Sequence, residues 1–133
     1  MSPCAIRIED LSVAFAGRRV IDRLSLDVCH GGPTFLLGRS GSGKTTLLRA
    51  INRLNECFPN CATRGRIALQ LGGEWVDAYA PKTSVEGLRR RAGMVFQSPN
   101  ILPLSIERNM VLPLKTTLNL PSAECVARME QAL

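Results

Sequence analysis

The first thirty residues alternate apolar and polar positions with the period of two that a half-buried strand requires. Ala5-Ile6-Arg7-Ile8-Glu9 and Leu11-Ser12-Val13-Ala14-Phe15 read as one extended segment. Ala16-Gly17-Arg18 supplies a turn, and Val20 to Val28 returns as a second strand. Gly31-Gly32-Pro33 interrupts the pattern. The run Thr34-Phe35-Leu36-Leu37 that follows is short and apolar, as expected of a parallel strand buried on both faces. Between Lys44 and Leu54 the period changes: apolar residues at 47, 48, 51 and 54 share one helical face. Asn55 to Arg64, with Pro59 and Asn60, reads as an irregular loop, and Gly65–Leu71 and Glu74–Val76 as a hairpin across Gly72-Gly73. Ser84 is placed to cap a short helix ending at Arg91, and Gly93-Met94-Val95-Phe96 predicts a second buried strand. Pro99, Pro103 and Pro113 space the next stretch, leaving a helix near Ser105 to Leu112. Ser122 opens a last amphipathic helix with apolar side chains at 126, 129 and 133.

These elements predict an α/β domain with an antiparallel β-subdomain (about 5–28 and 65–77) beside a parallel core begun by Thr34–Leu37. A length of 133 residues is one domain's worth at most. The 45% hydrophobic content and mean hydropathy of +0.05 exclude an intrinsically disordered chain. No run approaches the roughly 18 to 20 apolar residues of a membrane span, and Met1 to Glu9 lacks the apolar stretch of a secretory signal. The expectation is a soluble chain in the cytoplasm. Seventeen basic against eleven acidic residues give a net charge of +6, which suits an anionic partner. The arginines are scattered, with Arg18-Arg19 and Arg89-Arg90-Arg91 as the only runs, so solvated faces are expected and no nucleic-acid partner. The five cysteines form no C-x-x-C pair, and Cys57 and Cys61 have no histidine nearby. Free thiols are expected rather than a zinc site.

One motif carries the chemistry. Gly38-Arg39-Ser40-Gly41-Ser42-Gly43-Lys44-Thr45 satisfies G-x-x-x-x-G-K-[ST], the P-loop pattern, between an apolar run and a helix. Glycines let backbone N–H groups approach a phosphate chain with no Cβ in the way. The following helix directs its positive end at the same anion. Lys44 is placed to reach the outer phosphates, and the Thr45 hydroxyl to ligate Mg²⁺, so ATP and Mg²⁺ are the expected ligands. Gly38 to Thr46 form the cofactor-binding set. The same loop also serves small-molecule or nucleotide kinases and non-catalytic nucleotide-binding modules. Those remain the alternative readings.

Beyond the loop, the order of segments from about residue 5 onward resembles the ATP-binding subunits of ABC transporters, most of all the phosphate-importer type. Asn52-Arg53-Leu54-Asn55, Leu88 to Asn100 and Ser105-Ile106-Glu107-Arg108-Asn109 are similar to that type, as is the P-loop through Arg49. The resemblance implies a P-loop NTPase fold of the ABC ATPase type and ATP hydrolysis that drives solute import. It places Phe15 as the adenine-stacking aromatic and Gln97 as the Q-loop glutamine, a metal and catalytic residue beside Lys44 and Thr45. It further implies a transmembrane permease subunit meeting residues 97–110, pairing of ATP-binding subunits as homodimer or heterodimer, and a peripheral position on the cytoplasmic face of the membrane. Where that type has Pro-Phe-Pro after the glutamine, this chain has Ile101-Leu102-Pro103. The family's signature, its Walker B Asp with the catalytic Glu, and its switch histidine would follow Leu133. A truncated domain is therefore expected, itself inactive in hydrolysis. His30 precedes the P-loop and cannot be the switch histidine by order.

Overall fold

The computed structural model describes residues 4–133; Met1, Ser2 and Pro3, within the Met1 to Glu9 stretch read above for a secretory signal, lie outside the described residues. The chain divides into two compact units, the first ending at Met94 and the second running from Val95 to Leu133.

The first unit is built on a four-stranded antiparallel sheet of order β2-β1-β3-β4. Strand β1 spans Cys4–Phe15, β2 Arg18–Cys29, β3 Cys61–Leu71 and β4 Glu74–Asp77. Two tight turns join the pairs. Ala16 and Gly17 (φ 47° and 80°) connect Phe15 to its partner Arg18, and Gly72 and Gly73 (φ 62° and 87°) connect Leu71 to Glu74. Positive φ at both central residues suits the twist of a hairpin.

A line of irregularities crosses the sheet. Between the pairs Glu9↔Arg66 and Ser12↔Arg64, Asp10 and Leu11 on β1 face Gly65 alone on β3, a β-bulge. Asp10 and Arg23 both adopt φ 47°, and the shift continues into β2 between Ile8↔Leu26 and Leu11↔Leu24. Serine side chains satisfy the displaced backbone: the Asp10 N–H donates to Ser25 Oγ (3.0 Å) and the Arg23 N–H to Ser12 Oγ (2.9 Å). The bulge changes which residues point inward. Ile8 precedes it and Leu11 and Val13 follow, yet all three are buried on one face with Ile21, Ile67 and Leu69.

Helix α1 (Lys44–Ile51) buries Leu47 and Ala50 against this face, and α2 (Val85–Arg91) contributes Leu88. A 3₁₀ turn, Leu54–Cys57, follows α1 where the sequence predicts helix to Leu54 and then loop. The break comes at Arg53, whose left-handed backbone (φ 60°) cannot continue an α-helix. Ser84 caps α2 as expected, its hydroxyl accepting from the Gly87 N–H at 3.2 Å.

The two expected parallel strands are not formed. Residues 34–37 and 93–96 have no strand assignment and pair with nothing among the described residues. Phe35, Leu37 and Val95 are 78%, 91% and 97% exposed. An apolar run becomes a strand only when neighbouring backbone completes its ladder, and these runs have no neighbour here.

The second unit is a helical pair. Helix α3 (Ile106–Leu118) is longer than predicted, since Pro113 lies inside it. Proline removes one N–H but can be carried where a helix face is solvated, and α3 has no buried residue. Asn119 (φ 51°) ends it, its N–H donating to the Leu114 carbonyl. Helix α4 (Ser122–Ala132) packs on α3, with Cys125 fully buried and Met129 half-buried. The predicted face is thus corrected, because Val126 and Leu133 are 38% and 84% exposed. Buried Cys125 serves as a small hydrophobe, its thiol donating to the Leu120 carbonyl at 3.6 Å. No helix among the described residues is long and apolar enough to cross a membrane.

Candidate functional site

The P-loop lies between the extended segment 34–37 and the start of α1. Gly43 stands at the N-cap in the left-handed region (φ 92°, ψ 4°) and supplies no side-chain cap. It also presses on β2. A Cβ there would lie 3.3 Å from both Val20 Cγ1 and the Val20 carbonyl oxygen. Gly41 (φ 77°) has open space around it. The first turn of α1 holds no acidic residue, so no carboxylate of its own competes for its N–H groups.

Lys44 folds back over the loop. Its ammonium donates to the carbonyls of Gly38 (2.8 Å) and Arg39 (2.7 Å) and lies 3.4 Å from Ser42 Oγ. The Ser42 N–H closes the turn onto the Arg39 carbonyl at 3.3 Å. A charged group is thus held inside a glycine-rich loop, beside a helix start with free N–H donors. That donor set fits a phosphate chain. Arg39, Ser40, Ser42 and Thr45 are exposed at the loop, while Lys44 and Thr46 are half-buried. A cleft of about 300 Å³ opens between the loop and β2, lined by Val20, Leu24, Leu36, Leu37 and Leu47.

Helix α1 is anchored at several points by groups from the rest of the first unit. Asn55, fully buried, donates from Nδ2 to the Thr46 carbonyl at 2.9 Å. Tyr79 Oη donates to the Ala50 carbonyl at 2.9 Å, and burial pushes its phenol pKa up to about 12. Arg89 of α2 donates to the carbonyls of Asn52 (3.2 Å) and Arg53 (2.9 Å), close to the negative end of α1. Arg53 in turn pairs with Glu56 at 2.9 Å, reaches the Ala78 carbonyl at 3.2 Å and lies over the Tyr79 ring. The sequence reading of the site did not include Asn55, Tyr79 or Arg89. The available signal was weak: a polar residue, Asn55, directly after the apolar face of the P-loop helix.

Phe15 ends β1 half-buried and packs on the core cluster. Its ring meets Phe58 edge-to-face, and Arg49 of α1 lies over Phe58. The structure therefore brings Phe15 into the first unit with the P-loop. Gln97 belongs to the second unit, exposed in an irregular segment after Phe96. Close to it in sequence, Asn109 ties down residues 102–105: its Nδ2 donates to the carbonyls of Leu102, Leu104 and Ser105 (3.0 Å each), and its Oδ1 accepts the Leu102 N–H at 2.9 Å.

Comparison with known proteins places this geometry in context. The ABC transporter family profile matches residues 21–133. Phosphate import ATP-binding protein PstB 2 of Streptococcus thermophilus (strain CNRZ 1066) is 42% identical over 115 residues, 86% of this chain and 44% of the relative. Phosphate import ATP-binding protein PstB 1 of Streptococcus pyogenes serotype M12 is 41% identical over 115 residues, covering 86% and 44%. Phosphate import ATP-binding protein PstB 2 of Aliivibrio fischeri is 41% identical over 111 residues, covering 84% and 39%. The chain spans less than half the length of these curated relatives.

Proposed function

Because the chain belongs to the ABC transporter family, we propose that it is the nucleotide-binding part of an ATPase subunit that powers solute import, with phosphate as the solute named for its relatives. The observation that carries the reading is the Lys44 ammonium held on the Gly38 and Arg39 carbonyls at the free N-terminus of α1. In this reading the ammonium exchanges carbonyl contacts for the outer phosphate oxygens, and backbone N–H groups of Gly41 to Thr45 cradle the rest. The Thr45 hydroxyl would hold Mg²⁺, which supplies charge neutralisation at the phosphates when bound, and the Gln97 amide oxygen is of the kind that ligates a metal. Phe15 offers an apolar ring for adenine.

Hydrolysis belongs to the longer protein in this reading. No Asp follows Gln97 in this chain, and Glu107, Glu124 and Glu130 are exposed residues of α3 and α4. Segments 34–37 and 93–96 become strands of a parallel core when further chain, of the kind the longer relatives possess, completes their ladders. Residues 97–110 face the permease subunit: Ile101 and Ile106 are 74% and 76% exposed there, next to the loop tied by Asn109. The complete subunit pairs with a second one and works at the cytoplasmic face of the membrane.

The test is a calorimetric titration of the chain with Mg-ATP. Lys44→Ala removes a charge-assisted contact and is expected to weaken binding by about 1.5 to 3 kcal/mol. Equal affinity in the variant and the natural chain would overturn the assignment.

A further inference from the structure

Phe58 is an aromatic residue in the loop between the 3₁₀ turn and β3, 43% exposed and outside the buried core cluster. Its ring is nonetheless contacted on two sides, and its loop is tied down beside it. The Phe15 ring meets it at a centroid distance of 6.1 Å and an interplanar angle of 87°. The Arg49 guanidinium carbon lies 4.9 Å from its centroid. Two residues on, the Asn60 carbonyl accepts the Ala16 N–H at 2.9 Å, tying this loop to the turn just beyond Phe15. A continuous series of contacts thus runs from the P-loop helix, through Arg49 and Phe58, to Phe15.

From this arrangement we propose that Phe58 is a positioning residue for the nucleotide base, and that Arg49 ties its setting to the helix that carries Lys44 and Thr45. The proposal deepens the function above and rests on the reading of Phe15 as the base-stacking ring. An edge-to-face partner occupies at most one face of Phe15, which is half-buried rather than enclosed. A ring held in one rotamer before binding loses less side-chain freedom when a base stacks on it. A cation over Phe58 restrains the supporting ring in the same way. Because Arg49 and Lys44 stand on one helix, the base platform keeps its distance from the phosphate cradle.

The experiment compares affinities of the chain for Mg-ATP and for inorganic triphosphate, which has the phosphates and no base. Phe58→Ala and Arg49→Gln are each expected to lower Mg-ATP affinity by about three- to tenfold while leaving triphosphate affinity unchanged, and Phe58→Tyr is expected to restore the natural ratio. Phe15→Ala is the reference, expected to lower the same ratio. If Phe15→Ala lowers the ratio but Phe58→Ala and Arg49→Gln do not, or if they weaken both ligands equally, Phe58 has only a structural role and the proposal is wrong. If Phe15→Ala leaves the ratio unchanged, the base-stacking reading fails and the proposal with it. If the natural chain binds neither ligand, the nucleotide-binding function itself is overturned. Arg49→Gln gives the same decision should Phe58→Ala fail to fold.

Discussion

At Gly65 a hydrogen is the only side chain the sheet accommodates. A Cβ there would lie 2.5 Å from the Asp10 carbonyl oxygen and 2.7 Å from the Glu9 carbonyl oxygen, and the backbone has φ +96°. Both the contact and the dihedral oppose any L side chain. Gly65→Ala is therefore expected to destabilise the chain by about 3 kcal/mol, read from the midpoint of a urea transition. Tyr79 gives a second residue-scale expectation. Burial raises its pKa from 10 to about 12, so the folded protein keeps the phenol neutral where the unfolded chain ionises it. This contribution is complete below pH 10 and is lost as the pH rises towards 12. Stability measured against pH should fall across that window, and the fall should be shallower in Tyr79→Phe. An identical slope in both proteins would refute the assignment.

Among the elements, those with local signals were legible in the sequence. Both tight turns, the Ser84 cap and the helix after the P-loop follow from glycine placement, a hydroxyl before an acidic first turn, and period 3.6. The cap can be checked directly: Ser84→Ala should cost about 1 kcal/mol by chemical denaturation, with fraying of α2 visible as faster amide exchange near Gly87. The bulge was also written in the pattern. The inward set of β1 changes from Ile6 and Ile8 to Leu11 and Val13, and that of β2 from Ile21 to Leu24 and Leu26. Each strand slips phase by one, and the unbroken strand reading passed over the slip. Segments 34–37 and 93–96 were not legible as they stand, because four apolar residues specify burial while the ladder partner is set elsewhere. The P-loop glycines and Lys44 carried the site. Among its supports, Tyr79 and Arg89 act through backbone carbonyls distant in sequence and leave no spacing to read, while Asn55 leaves only a polar residue after the apolar face of α1.

For the whole molecule, the largest consequence is apolar surface without cover. Phe35 and Leu37 are 78% and 91% exposed, with unpaired backbone alongside, and such edges promote self-association. The chain should show concentration-dependent association by sedimentation velocity, reduced in the double variant Phe35→Ser with Leu37→Lys. A monomer at all concentrations would contradict this. The sheet itself is protected against a different error. A hairpin defined only by alternation can settle one residue out of place, exchanging its inner and outer faces. Here Asp10 lies level with Gly65 on β3 and Arg23 is displaced opposite Ser12, beyond the Leu11↔Leu24 pair, and only Gly65 tolerates the close approach of Asp10. A slip of β3 against β1 would bring a side chain to the position that only a hydrogen fits. Misaligned pairings of β1 with β3 are thereby rejected as soon as the third strand docks, so fidelity of that pairing resides in its irregular position rather than in the regular ones.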